Sequence, residues 1–185
     1  ILDTVKLSAF AKKFYSEPFT LNEIPEEYIS RNNGVMLISS GKIRQSNEGC
    51  ACTMNSILKQ FIKHLTVGDN EVALLDMEAG VEHFGRGVDN SVDLILMIVD
   101  PSFESLKLTK KIQQLGESIG KPVFFVLNKV NELVLPTMLE AIDDQSKVLA
   151  VISTDTEIAR KGLLGDELMM EIPEIHTLAR KILKQ

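Results

Sequence analysis

Three groups of residues in this chain have the types and spacing to do chemistry. Asp76 closes a continuous apolar run, Val72-Ala73-Leu74-Leu75, and Glu78, Gly80, Glu82, Gly85 and Gly87 follow at short intervals. A carboxylate at the carboxyl end of a buried strand can hold a magnesium ion, directly or through water. Glycines let the next loop bend and come close to a ligand. Taken alone, the same stretch is equally a strand running into an acidic surface loop. Cys50 and Cys52 form the second group, separated only by Ala51. Cysteines that close rarely form an unstrained disulfide. At i and i+2 their sulfurs can be aimed at one ion, or they can be two incidental buried thiols. The third group, Asn128-Lys129, follows another apolar run. An amide offers a donor and an acceptor side by side, which suits adenine, and a lysine can lay its alkyl stem over a base ring. On its own the pair is also an ordinary turn.

The elements that must position these groups read as alternating strands and helices. Residues 72–76, apolar as far as Leu75, and the runs 94–99, 123–127 and 148–152 show no polar alternation, the pattern of strands buried on both faces of a parallel sheet. They end at Asp76, Asp100, Asn128-Lys129 and Ser153-Thr154-Asp155. Parallel strands point one way, so these ends are expected to gather along one edge. Behind Thr53, the residues Met54, Ile57, Leu58, Phe61, Ile62 and Leu65 recur at helical spacing. Cys52 stands near the start of that helix, where the positive end of the dipole favours thiolate. His64, beside the stripe, reads as a packed or surface residue rather than a ligand. Ser102 is placed to cap a helix from Phe103 to about Ile119 that stops at Gly120. Further helices are expected from about Leu133 to Ile142 and from Ile172 to Leu183, and a short strand from Val35 to Ile38 after the turn Asn33-Gly34. The pattern predicts an α/β fold: a mainly parallel sheet flanked by helices on both faces, as one domain over residues 1–185.

Composition narrows the function classes. With 44% hydrophobic and 25% charged residues, the chain can bury a sizeable core. A net charge of −6 without a basic cluster argues against a nucleic-acid surface. No apolar run is long enough to span a membrane and the start does not resemble a signal peptide. Two thiols in an acidic chain fit the reducing cytoplasm. The chain begins with Ile1 rather than Met, which reads as a chain whose first part is absent.

Gly49-Cys50-Ala51-Cys52, then Asp76-Met77-Glu78-Ala79-Gly80-Val81-Glu82-His83-Phe84-Gly85-Arg86-Gly87, then Asn128-Lys129, together resemble the carbon monoxide dehydrogenase accessory ATPases (CooC). These are nickel-insertion factors related to the MinD and nitrogenase iron-protein group of P-loop NTPases. The resemblance covers about residues 25 to 160 in order. It implies a cytoplasmic, ATP-dependent homodimer that helps mature a nickel-iron-sulfur enzyme, with the nickel carbon monoxide dehydrogenase apo-enzyme as partner. It implies that Cys50 and Cys52 from two subunits bind zinc or nickel at the dimer interface. It implies that Asp76 is catalytic, that Asp76 with Glu78 and Gly80 in its loop responds to ATP or ADP and magnesium, and that Asn128 and Lys129 lie at the adenine. The chain departs from the pattern in two places. No Gly-x-x-x-x-Gly-Lys-Ser/Thr occurs in it, nor the second acidic motif expected soon after, as if the first strand-helix-strand unit were missing. Relatives also usually carry a proline before the aspartate where this chain has Ile152-Ser153-Thr154-Asp155, which weakens an adenine-pocket role for Ser153 and Asp155. The alternative is a non-catalytic relative that keeps a metal-binding dimer surface. A membrane- or DNA-attached positioning ATPase fits less well, because Glu171 and Glu174 accompany the lysines of the last segment.

Two predictions follow from the motifs. Without backbone amides and a lysine to wrap the β- and γ-phosphates, the 185-residue chain should bind ATP weakly or not at all. Micromolar, magnesium-dependent affinity in calorimetry would contradict this. The cysteine pair should hold about one zinc or nickel ion per two chains, less tightly as pH falls and protons compete for thiolate. Sedimentation with metal analysis should show Cys52→Ala losing both the ion and the dimer. A mutant that keeps both would reduce the pair to packing.

Overall fold

The computed structural model describes residues 16–39, 51–77 and 91–184. The chain divides into two compact units, residues 1–92 and 93–185.

In the first unit, β1 (Phe19–Thr20), β2 (Ile29–Asn32), β3 (Val35–Ile38), α1 (Ala51–His64) and β4 (Leu65–Thr66) follow in order. β2 and β3 form an antiparallel hairpin with Asn32 opposite Val35. Its two-residue turn is Asn33-Gly34, with φ of 47° and 82°. Such a turn needs both central residues left-handed, and Asn-Gly meets that requirement at least cost. β1 runs parallel to β4, Phe19 opposite Leu65. The apolar stripe of α1 delivers Phe61 to Phe19, ring centroids 5.1 Å apart. Phe19 and Ile24 are buried there, with Leu21, Tyr28, Ile29, Ile38 and Leu65 packed around them.

Residues 72–76, expected as a strand, are not one. Residues 71–77 have no regular secondary structure, and Val72 and Leu74 stand 60% and 87% exposed. An apolar run becomes a strand only where a neighbouring backbone completes its hydrogen-bond ladder, and none of the described strands pairs with it. The stretch opens instead on a turn in which the Gly68 amide donates to the Glu71 carboxylate at 2.8 Å and the Glu71 amide donates to the Gly68 carbonyl at 2.9 Å.

The second unit contains β5 (Ile95–Val99), α2 (Phe103–Ser118), β6 (Val123–Val130), α3 (Leu135–Glu140), β7 (Val148–Ser153), α4 (Thr156–Leu164) and α5 (Pro173–Ile182). Its three strands form a parallel sheet in the order β5-β6-β7, with Ile95 opposite Val123 and Val99 opposite Leu127. Three of the expected strands are therefore present, and β6 runs on to Val130. Successive strand residues face opposite sides. Leu96, Phe124, Val126, Ala150 and Ile152 pack with Leu178 and Ile182 of α5. On the other side Gly116 of α2 lies against Val123. The unit is thus an α/β layer with helices on both faces. Val99, Phe125, Val126 and Leu127 are fully buried, each worth roughly 1.5–3 kcal/mol of apolar transfer.

Ser102 caps α2 as expected, its hydroxyl accepting from the Ser105 amide at 3.2 Å. α3 is shorter than the expected Leu133 to Ile142. Asn131 Oδ1 accepts from the amides of Leu133 and Val134 at 3.0 and 3.1 Å, which holds a turn where the helix was expected to begin. α4 fills a stretch with no expected element. Among the described residues no helix is long and apolar enough to cross a membrane.

The contact between α2 and β6 sets a testable limit. A Cβ on Gly116 would overlap the Val123 Cγ2 methyl and stand 3.0 Å from the Lys121 carbonyl oxygen. Alanine would gain about 1 kcal/mol of helix propensity, but overpacking a stiff, buried valine costs about 1–3 kcal/mol. Gly116→Ala should therefore lower the urea unfolding midpoint. An unchanged or raised midpoint would show that the α2–β6 contact is not close-packed.

Candidate functional site at the carboxyl edge of the sheet

Because β5, β6 and β7 are parallel, their carboxyl ends bring Asp100, Asn128-Lys129 and Asp155 to one edge. The ladder between β6 and β7 shifts once between Phe125, opposite Val148, and Val126, opposite Ala150, and again between Leu127, opposite Val151, and Val130, opposite Ser153. At the second shift one extra residue on β6 is accommodated, a bulge of the kind that re-aims side chains. Lys129 takes up the irregularity with φ of 56°, a left-handed conformation that costs a non-glycine residue on the order of 1–3 kcal/mol.

Asp100 spans this bulge from the neighbouring strand. Its Oδ1 accepts from Asn128 Nδ2 at 2.9 Å, and its Oδ2 accepts from Lys129 Nζ at 2.5 Å. The Lys129 and Asp100 side chains are 63% and 39% exposed, so solvent screens the ion pair and it alone contributes at most about 1 kcal/mol. The half-buried bond to Asn128 adds the directional part. Asp100 is itself held in the β5–α2 turn. Its amide donates to Ser105 Oγ at 3.1 Å, and its carbonyl accepts from the Ser102 amide at 2.8 Å. Across the edge, the Thr154 amide donates to the Val130 carbonyl at 2.8 Å. Asp155 Oδ1 accepts from the amides of Glu157 and Ile158 at 2.7 and 2.9 Å, which makes Asp155 the cap of α4. The edge thus presents an oriented amide, an ammonium and a fixed carboxylate, groups able to hydrogen-bond a planar polar ligand.

The sequence-derived residues are distributed unevenly. Asn128 and Lys129 lie at this edge as expected. Asp76 is exposed in the irregular stretch of the first unit and ends no strand. Cys52 lies in the first turn of α1, as its spacing predicts. Cys50, Glu78 and Gly80 lie outside the described residues. Among the described residues no group of three or more His, Cys, Asp and Glu side chains could hold a metal ion. His64 Nδ1 lies 3.1 Å from the Gln60 carbonyl of its own helix, in keeping with a packing role. Sequence reasoning placed Asp100 at a strand end but did not find its partners, which lie 28 and 29 residues away. The cap made by Asp155 was signalled by its position just before Thr156-Glu157.

A parallel, helix-flanked sheet with polar side chains collected past its strand ends is the architecture of nucleotide-binding α/β proteins. No protein-family model matches the chain, but it has clear relatives. It is 39% identical over 179 residues to an uncharacterized ATP-binding protein of Methanocaldococcus jannaschii, a match covering 97% of this chain and 72% of the relative. A second uncharacterized ATP-binding protein of that organism is 29% identical over 164 residues, 85% of this chain and 64% of the relative. The carbon monoxide dehydrogenase accessory protein CooC of Rhodospirillum rubrum is 30% identical over 146 residues, 78% of this chain and 56% of that protein. The chain thus spans less than two thirds of the second and third of these relatives. The chain belongs to the family of the first of these relatives, the ATP-binding proteins, and is similar to CooC over just over half of that protein's length.

The cap on α4 gives this edge a stability test. Asp155→Ala should cost about 1 kcal/mol, whereas Asp155→Asn, which keeps an acceptor oxygen, should retain most of the stability. Equal loss in both would show that the carboxylate acts through its charge rather than as a cap.

Proposed function

We propose that this chain is part of an accessory ATPase that serves the maturation of a nickel-containing carbon monoxide dehydrogenase. In this reading the carboxyl edge of the β5-β6-β7 sheet forms the base end of its nucleotide site. The observation that carries the reading is the placement of Asn128 and Lys129 on a bulge at that edge, clasped by Asp100, in a chain whose relatives are ATP-binding proteins. The relation to CooC supports the maturation role. Asn128 is the adenine contact. Asp76, with Glu78 and Gly80, belongs to the loop that answers to magnesium and phosphate. Nickel is cargo, held as a bridging ion by Cys50 and Cys52 of two copies, and the apo-enzyme is the partner that receives it.

The base-end assignment is testable on this chain without turnover. Titration with ADP and magnesium at millimolar concentration, followed by amide NMR, should shift the resonances of Asn128, Lys129 and Thr154. Asn128→Ala should weaken binding roughly tenfold, the worth of a two-point amide contact. Shifts confined to other elements, or an unchanged affinity in Asn128→Ala, would place the base elsewhere.

A further inference from the structure

We propose that Asp100 is the residue that sets base specificity, by fixing which way the Asn128 amide faces. This rests on the reading of the strand-end edge as a nucleotide-base site. A carboxylate ion-paired to a lysine accepts hydrogen bonds and cannot donate them. Facing Asp100 Oδ1 at 2.9 Å, Asn128 must therefore turn its NH2 end toward the carboxylate. The reversed amide would set oxygen against oxygen. One N–H is used in this bond, and Oδ1 and the second N–H remain for a ligand.

That remaining edge matches adenine and mismatches guanine. Adenine presents an exocyclic N6 donor beside the N7 acceptor, and an amide oxygen with an adjacent N–H pairs with both. Guanine presents O6 and N7, two acceptors, so a fixed amide oxygen would face O6. A freely rotating asparagine could swing its NH2 to O6 and accommodate either base. Asp100 removes that freedom. Asp100 need not touch the nucleotide to do this and is a positioning residue. It can hold the amide still because its own backbone is tied at both amide and carbonyl to Ser105 and Ser102.

The test compares ADP with GDP on the full chain by competition NMR, for wild type, Asp100→Asn and Asp100→Glu, with thermal unfolding of each variant recorded alongside. Wild type should prefer ADP by roughly tenfold or more. Asp100→Asn, nearly the same shape but able both to donate and to accept, should lose most of that preference, chiefly by gaining affinity for GDP. Asp100→Glu, which restores an acceptor-only group, should recover it. A purely structural role for Asp100 would lower both affinities together and leave their ratio unchanged. That outcome, or full discrimination in a folded Asp100→Asn, would overturn the inference and leave the base site standing. Failure of the wild type to bind either nucleotide at millimolar concentration, where the weak affinity of a base site without a phosphate cradle still registers, would overturn the base site and the inference with it.

Discussion

Asp100 shares one carboxylate between the Asn128 amide and the Lys129 ammonium, and the geometry of the sheet edge depends on that sharing. Lys129 stands in left-handed backbone, which does not persist unless its surroundings over-determine it. The ion pair is too exposed to supply that alone. Three contributions act together: the ion pair, the half-buried amide bond, and the resumption of the β6–β7 ladder at Val130 and Ser153. The bulge is held from the β5 side by side chains and from the β7 side by backbone.

That clasp is possible because the strands beneath it cannot slip. A one-residue shift of β6 would turn Val126 away from Leu178 and bring Phe125 to that face. Phe125, Val126 and Leu127 are all fully buried, so neither face of β6 tolerates the exchange. The same register that buries these residues delivers Asn128 next to Asp100. Core packing and site geometry are in this sense one constraint, read at two places along a single strand.

The three strands of this sheet were legible because each reads as an unbroken apolar run, although only β6 is buried on both faces and Ile98 of β5 is 52% exposed. The same signal misled at 72–76, where apolar residues occur without a described partner strand and stay exposed. An apolar run records what a strand can bury, not that a neighbour is present to pair with it. Helix α4 was missed for a different reason. It is only nine residues long with none fully buried, and Leu163 and Leu164 are 88% and 61% exposed, so its apolar pattern is too short to stand out. Its signals are at its ends, in Asp155 as cap and Gly165 in left-handed conformation after it. Asn128 and Lys129 were found from their position at a strand end. The pairing with Asp100 was not, because hydrogen bonds between parallel strands join residues separated by a whole helix. The motifs around Cys50 and from Glu78 onward lie outside the described residues and take their meaning from the family.

The central claim is that Asn128 is held in one orientation before any ligand arrives. The side-chain amide of Asn128, observed by nitrogen-15 NMR in the free protein, tests it directly. The account predicts one Nδ2 proton displaced from the position of an exposed asparagine amide and protected from exchange through its bond to Asp100. In Asp100→Ala that displacement and that protection should both be lost. An Asn128 amide that already looks free in the wild type, or one unchanged by removal of Asp100, would contradict the account.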